Sequence, residues 1–519
     1  GERGNRAVSG MRCATVRCKT KGDVLMQVTR RDLVKFGGAA CLVAGATVGA
    51  GAAMADEAGY LVGSSDIAFS EETDILIIGT GVAGLAAGME PALAGKKIIF
   101  AEKKGSFGGD SATSCWFMFA TGTKNQLEHG SQTTIEQAWE AAKERQTATF
   151  DFDWWPQWIE GKYFATTKFF DCAAENFGCD FLEPCTMEEL PKFGPAVVLP
   201  GEGIASGYQH VLSPIQSKLE ELGAEFKYNL RAVSLIKDAP DGAVIGCRFH
   251  DENGANVDIK ANAVVLATGC FIDNGEMMNA YLPEWAHYGV LVNGGSMGEG
   301  HTMAWAAGAQ QIGMDSSIAN HYCNLMGDLP NATTWGYWTP MVLVLPNGKR
   351  FIQEGQSHDA AQACLDCGYR EWWVIFDQRA FDNRCVGTSV KNNVNIHEDV
   401  YRTADTIEDL AVAMDVPVDN LVATFAEYEG YVEAGEDTAF GKTEWLNSLE
   451  PPYHALKLNV MRYKTSGGVI CNADNLVIDN DGNGIPGLYA CGAIALPGQA
   501  SVTACAATGY FTGETLAAL

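Results

Sequence analysis

Basic residues are scarce in this sequence. Against 64 Asp+Glu stand 36 Lys+Arg, a formal net charge of −28 over 519 residues. Nucleic-acid binding needs basic patches that displace counterions from phosphates, and anionic lipid surfaces need polybasic segments, so both are disfavoured as partners. Long apolar runs are missing too. The run from Gly37 to Ala53 is Gly/Ala-rich, too short and too weakly apolar for a membrane span. No C-x-x-C-H motif for covalent haem attachment occurs. What remains is a globular composition, 47% apolar, in a chain too long for one simple core. Two domains are expected, one inserted into the other.

Thr29-Arg30-Arg31-Asp32-Leu33-Val34-Lys35 is a twin-arginine pattern, and Ala53-Met54-Ala55 after the Gly/Ala run is an A-x-A cleavage site. Residues 1–55 are therefore expected to be a leader, with Asp56 as the mature start and a periplasmic or extracytoplasmic destination. The leader carries more basic than acidic residues, so its removal makes the protein more acidic still. Of 16 cysteines, Cys13, Cys18 and Cys41 leave with it, and the odd number remaining forbids complete internal pairing. Cys364-Leu-Asp-Cys367 and the near neighbours Cys172, Cys179 and Cys185 fit no standard iron–sulfur spacing. Buried free thiols are the expectation, an iron–sulfur cluster the alternative.

Thr73 to Ile78 is an apolar run of strand length that feeds Gly79-Thr-Gly81-Val82-Ala83-Gly84 and then an Ala-rich helix. A second strand, Lys97 to Ala101, ends in Glu102, 18 residues after the last glycine. This is a βαβ unit with the spacing a diphosphate requires. The first glycine makes the turn, the second admits the phosphates, and the third lets helix and strand pack, while the helix N-terminus faces the anion. The acid at Glu102, followed by Lys103, can accept ribose hydroxyls. Gly108-Gly109-Asp110-Ser111, Ala267-Thr268-Gly269 and Gly487 to Gly492 with Ala493 point to FAD rather than NAD, held non-covalently. A terminal helix starting near Ser501 and Val502 could aim its N-terminus at the flavin C2 carbonyl. Phe226 to Phe249 reads as an antiparallel ribbon, Met341 to Leu345 as a strand, and Thr406 to Met414 and Val418 to Glu433 as helices.

With Gly122-Thr-Lys, Gly298-Glu-Gly300, Gly348-Lys-Arg-Phe351 with Glu354, Pro451-Pro-Tyr453, Gly467-Gly468 and Ile485-Pro-Gly-Leu-Tyr489 added in order, the chain resembles the fumarate reductase/3-ketosteroid-dehydrogenase class of FAD enzymes, which includes urocanate and cardiac glycoside reductases. The resemblance covers almost all of the chain beyond the leader. It implies an α/β fold: a Rossmann-like FAD domain formed by residues 66–316 and 456–519, interrupted by an α+β capping domain at 317–455. It also implies hydride transfer between flavin N5 and one carbon of an activated C–C bond, with a proton delivered or removed on the opposite face.

The departures bear on the substrate. Where the fumarate reductases carry a proton-donating Arg, this chain has His358; the rest of that relay falls on Thr334 and Tyr337. The stretch Gly498 to Thr503 lacks the carboxylate-binding Arg, His321 matches the family's His on entry to the cap, and Lys464 falls near another substrate-side His. His358 is a candidate proton donor or substrate anchor, Tyr337 an alternative donor and His321 a polar anchor. Trp335, Trp338 and Tyr322 are either pocket wall or cap core. Arg350 and Glu354 read as a structural pair. Without paired guanidinium groups, fumarate is not the expected substrate; a flat, apolar enone, enoate or unsaturated lactone is. Electrons are expected from a separate donor, such as a membrane-linked cytochrome. The competing readings are the reverse reaction of a ketosteroid-type dehydrogenase, weakened by Leu496-Pro497-Gly498 in place of Tyr-Pro-Gly, and a non-catalytic flavin electron-transfer subunit.

Overall fold

The computed structural model of the chain describes residues 59–64, 67–113, 118–143, 153–181, 197–198, 207–290, 295–314, 318–319, 339–354, 360–383, 387, 390–391, 394, 400–462, 464–496 and 501–519. Leu61–Gly63 (β1) and Glu71–Ile78 (β2) precede the helix Val82–Leu93 (α1), and Ile98–Ala101 (β3) completes the βαβ unit. The long helix Trp155–Phe177 (α2) is followed by Glu225–Lys227 (β4), Arg231–Lys237 (β5), Val244–His250 (β6), Asn256–Leu266 (β7) and the helix Glu299–Ala306 (α3). Ile318–Ala319 (β8) leads to Met341–Val344 (β9), Glu371–Phe376 (β10), Tyr401–Ala404 (β11), the helices Ile407–Met414 (α4) and Val418–Ala434 (α5), and Tyr453–Asn459 (β12). Lys464–Thr465 (β13), Leu476–Ile478 (β14), Gly484–Ala490 (β15) and the helix Val502–Ala517 (α6) follow.

The main sheet runs β1-β5-β6-β7-β2-β3-β4, with β15 joined to both β7 and β14. Its centre is parallel: Ile75 faces Ile98, and Ile78 lies between Ala101 and Leu266. Both faces of β2 are covered, which is why the run reads as continuously apolar rather than alternating. Ile75 and Ile77 pack with α1, α2 and α6, while Leu76 and Ile78 pack against β5, β6 and α3. The expected ribbon narrows to β5 and β6, which are antiparallel. Phe226 belongs instead to β4, parallel to β3, where its ring stacks on Phe100 at 4.4 Å.

The second sheet, β9-β10-β12-β11, is antiparallel throughout and sits between the two parts of the first. Alternation sorts its residues. Val342, Val344, Trp373 and Ile375 face α4 and α5, whereas Met341, Leu343, Trp372 and Val374 pack on Cys270 to Trp285 of the larger domain. The molecule is thus an α/β FAD-type domain with an inserted α+β cap. The anticipated boundary at residue 455 falls inside β12, whose residues pair with β10 from His454 to Asn459.

Helix α6 returns to cross α1 at bare backbone. A Cβ on Gly509 would stand 2.2 Å from the Ala83 carbonyl oxygen, and one on Gly513 2.9 Å from that of Ala87. Because the obstacle is backbone, Gly509→Ala is expected to cost about 1–3 kcal/mol, read as a lower denaturation midpoint, and to loosen whatever α1 and α6 hold between them.

Candidate functional site

The three glycines after β2 differ in what demands them. Gly79 has φ +103, and a Cβ there would meet the Ala267 carbonyl oxygen at 2.4 Å. A Cβ on Gly84 would meet the Gly79 oxygen at 2.1 Å. Both are required by the chain's own crossing of β2, α1 and β7. Gly81 is not: it caps α1 at φ −67, and a Cβ there would find nothing nearer than Ser111 Oγ at 3.5 Å. The space it leaves open faces the first turn of α1, at Val82, Ala83 and Gly84, which carries no acidic residue and no side-chain cap. That is a cradle for a diphosphate.

Around it the flanking residues are fixed by short bonds. Glu102, buried at the end of β3, accepts from Thr80 N (3.1 Å) and Thr80 Oγ1 (2.6 Å) through one oxygen and from Lys104 N (3.0 Å) through the other. A carboxylate oxygen with one donor keeps room for a ribose hydroxyl. Lys103 turns away to Glu299 at the start of α3, 3.0 Å from both oxygens. Gly108 N–H donates to the Thr80 carbonyl, and Val82 N–H donates to Ser111 Oγ at 3.1 Å. Gly108 and Gly109 both have positive φ. Asp110 accepts from Ser296 Oγ at 2.6 Å; burial, with Asp273 nearby, holds its carboxyl above the usual range against the pull of Ser296, Lys104 and Lys103.

On the other side of the turn, Thr268 Oγ1 is buried without a partner. Gly269, at φ +77, would bring a Cβ only to Ser296 Oγ at 3.4 Å. Gly492 N–H donates to Thr508 Oγ1 (3.0 Å) and leads into Ala493, and Ser501 Oγ caps α6 by accepting from Ala504 N–H (3.0 Å). The open cradle, the orphan hydroxyl and two helix N-termini without first-turn acids suit FAD. The structure thus brings Gly79 to Gly84, Glu102, Gly108 to Ser111, Thr268, Gly269 and Gly492 to one edge of the sheet.

At the junction with the cap, β13 pairs with β8, setting Lys464 opposite Ala319. Three bonds anchor this strand and the turn after it. Thr465 Oγ1 accepts from Phe271 N–H (3.1 Å), His301 Nε2 donates to the Gly467 carbonyl (3.1 Å) and Trp305 Nε1 to that of Gly468 (3.2 Å). In the cap, Arg350 grips Glu354 through two bonds of 2.9 Å and Asp437 through one of 2.7 Å, while Lys442 stands 3.6 Å from Glu354. Burial alone would lower the Arg350 pKa; Glu354 and Asp437 more than offset it. His358, Tyr337, His321, Trp335, Trp338 and Tyr322 lie outside the described residues. Among the described residues no group of three or more His, Cys, Asp or Glu could hold a metal ion. Described cysteines such as Cys247, Cys471 and Cys491 are free and buried, and burial pushes their thiols up. Sequence reasoning missed Thr80, Ser296 and Lys162; of these only Lys162, one cation amid aromatic residues, carried a visible signal.

Two measurements test this geometry. Gly81→Ala is expected to change apoprotein stability by less than about 1 kcal/mol yet weaken FAD binding at least tenfold, whereas Gly84→Ala lowers both. His301 is fully buried with Nδ1 unpartnered, and burial pulls its imidazole down to about 4. The unfolded chain, with an ordinary value of about 6.5, takes up this proton first, so the stability is present above that value and fades as pH falls. About 2 kcal/mol is expected to be lost between about pH 7.5 and about pH 5; urea unfolding of His301→Gln should lack that component.

Comparison with known proteins agrees with the site. A probable fumarate reductase of Shewanella frigidimarina is 29% identical, covering 82% of this chain and 70% of its own. A vinyl phenol reductase of Lactiplantibacillus plantarum is 26% identical over 82% of this chain and 90% of its own. Among solved structures, the open conformation of a flavocytochrome c3 fumarate reductase superposes with a TM-score of 0.68 at 28% identity, covering 87% of this chain and 79% of that one. From residue 74 to residue 509 the sequence matches the FAD binding domain family. The chain belongs to that family and is an FAD-binding oxidoreductase.

Proposed function

We propose that this protein is an exported reductase that saturates an activated C=C bond, that of an enone, enoate or unsaturated lactone, in a largely apolar substrate other than fumarate. FAD, when bound, supplies the hydride at N5. The chain's own residues hold the diphosphate at Gly81 and the first turn of α1, take the ribose at Glu102, and set β13 with Lys464 where the cap joins.

The observation that carries the substrate class is that His358 and the stretch Gly498 to Thr503 stand where the fumarate reductases carry arginines, together with the engagement of most described arginines. A dicarboxylate is held by paired guanidinium groups, each binding a carboxylate bidentately. Here Arg350 is held by Glu354 and Asp437, Arg379 by Asp377, and Arg402 by the Ala413 and Tyr401 carbonyls, while Arg462 stands near Asp273. Arg370 lies over the Tyr288 ring, and Arg462 keeps Nε and Nη1 buried without a partner, so among the described residues Arg462 remains able to take one carboxylate. Lys464 offers a point charge, enough to orient one carbonyl or carboxylate. Trp335, Trp338, Tyr322 and His321 would complete the wall, and His358 or Tyr337 would supply the proton. The twin-arginine pattern at Thr29–Lys35 supports export, and electrons come from a separate donor such as a membrane-linked cytochrome.

The test is anaerobic. The dithionite-reduced holoprotein is mixed with a panel of enones, enoates, unsaturated lactones and fumarate, and flavin reoxidation is followed. At least one apolar acceptor is expected to outpace fumarate by a factor of about a hundred or more, a difference of about 2.7 kcal/mol in barrier. His358→Ala or Tyr337→Phe should slow that step without releasing FAD. Reoxidation by fumarate alone, or by nothing in the panel, would sink the proposal.

A further inference from the structure

Lys162 lies on α2, four residues after Trp158, and its ammonium stands 5.1 Å over the Trp158 ring. Among the described residues no carboxylate pairs with it. Burial pulls the ammonium down to about 8, yet the residue keeps part of its accessible surface. Its remaining open area leaves room for a partner that the described residues do not supply. An unpaired cation in such a place is costly, so its retention points to negative charge that arrives during function.

The packing of α2 locates the ammonium. A Cβ on Gly161 would press into the Phe511 ring at 2.4 Å, and Lys168 pairs with Glu514 at 2.6 Å, so α2 lies along α6. From beside Phe511 the Lys162 arm runs toward the first turn of α6. There the Cys505 thiol feels both its charge and that of Lys464, with Cys270 close by. Cys505 is itself only partly covered and packs with Trp155, Trp158, Ile470 and Leu496. The cluster therefore sits where the Gly269 turn, the Gly467–Gly468 turn and the capped N-terminus of α6 meet. None of the hydrophobic residues packed around Trp158 comes from the cap sheet, so Lys162 belongs with the larger domain and the start of α6.

We propose that Lys162 is the cation that offsets the negative charge of the reduced flavin, with its ammonium beside the N1–C2 carbonyl edge of the ring and reinforcing the N-terminus of α6. Reduction by two electrons from the external donor, with one proton taken up at N5, leaves one negative charge shared by N1 and the C2 carbonyl. A neighbouring ammonium stabilises that state and raises the flavin potential; hydride transfer to the acceptor then removes the charge. The inference rests on the reading above that α6 points at the flavin.

Sulfite reads this charge without any substrate. It adds to N5 of the oxidised ring: the S–N5 bond forms from the sulfur lone pair, and the negative charge settles on the same N1–C2 edge. In FAD-loaded Lys162→Met and Lys162→Gln, sulfite Kd is expected to rise at least tenfold and the midpoint potential to fall, while Lys162→Arg stays within about threefold of the parent. FAD-loaded neutral variants with unchanged sulfite affinity and potential overturn the proposal. So does unchanged sulfite affinity joined to a raised KM for a carboxylate substrate, which would make Lys162 a substrate anchor.

Should the neutral variants not retain FAD, the parent holoprotein carries the test. Its potential should fall more steeply above about pH 8, where reduction draws a second proton onto Lys162, and the break should persist in Lys464→Met. The facing thiols, Cys505 and Cys270, are pushed up by burial and stay protonated there. A potential with no break overturns the assignment. Failure of the parent chain to bind FAD at all would instead remove the reading beneath it.

Discussion

Everything in this molecule hangs on one close approach of bare backbone. At the end of β2 the Gly79 carbonyl lies where a Gly84 side chain would begin, and the Ala267 carbonyl where a Gly79 side chain would begin. Three segments can meet there only because two residues have no Cβ. That meeting sets the direction of α1 and presents Thr80, whose amide and hydroxyl orient the Glu102 carboxylate. Thr80 also receives Gly108 N–H at its carbonyl, so the second phosphate-side turn is registered against the first. The cradle at Gly81 is the space that remains once those contacts are made.

The cap is held by different physics. Arg350, Glu354, Asp437 and Lys442 form a buried set with two charges of each sign, in which the bidentate Arg350–Glu354 geometry offsets desolvation. Arg350 is also stacked between Tyr428 and Phe440, at 5.1 and 4.8 Å from their ring centres. Such a network fixes one arrangement more than it adds stability. Here it ties the turn after β9, the start of the segment that leads to His358, to helix α5 and the loop beyond it. The hydrophobic faces of the cap sheet could slide; the ion set keeps their register.

How much of this could be read beforehand follows from how local each cause is. The turn at Gly79, the strand ending in Glu102 and the helices α4 and α5 announce themselves within a few residues; Thr406, for example, caps α4 by accepting from Asp409 N–H. The Arg350–Glu354 pair is one helical turn apart in sequence, but its third partner, Asp437, is 87 residues away and could not be anticipated. Strand β4 was hidden because its partner β3 is distant while β5 follows at once. Pro451-Pro452 was legible only as part of a family motif, yet it leads straight into β12, a central strand of the cap. Lys162 could be seen as an odd residue on an aromatic helix, but only the packing of α2 on α6 separates an enclosed ammonium from a solvated one.

Strand β7 has a further implication. Its first half pairs with β6, which immediately precedes it, while its second half pairs with β15, whose Leu488, Tyr489 and Ala490 are made more than two hundred residues later. The cap is synthesised in that interval. Until β15 and α6 emerge from the ribosome, the end of β7 and the face of α1 that meets Gly509 stay uncovered. Cofactor capture is therefore a late event in biogenesis, and the nascent chain must be kept from aggregating through its most apolar strands while it waits.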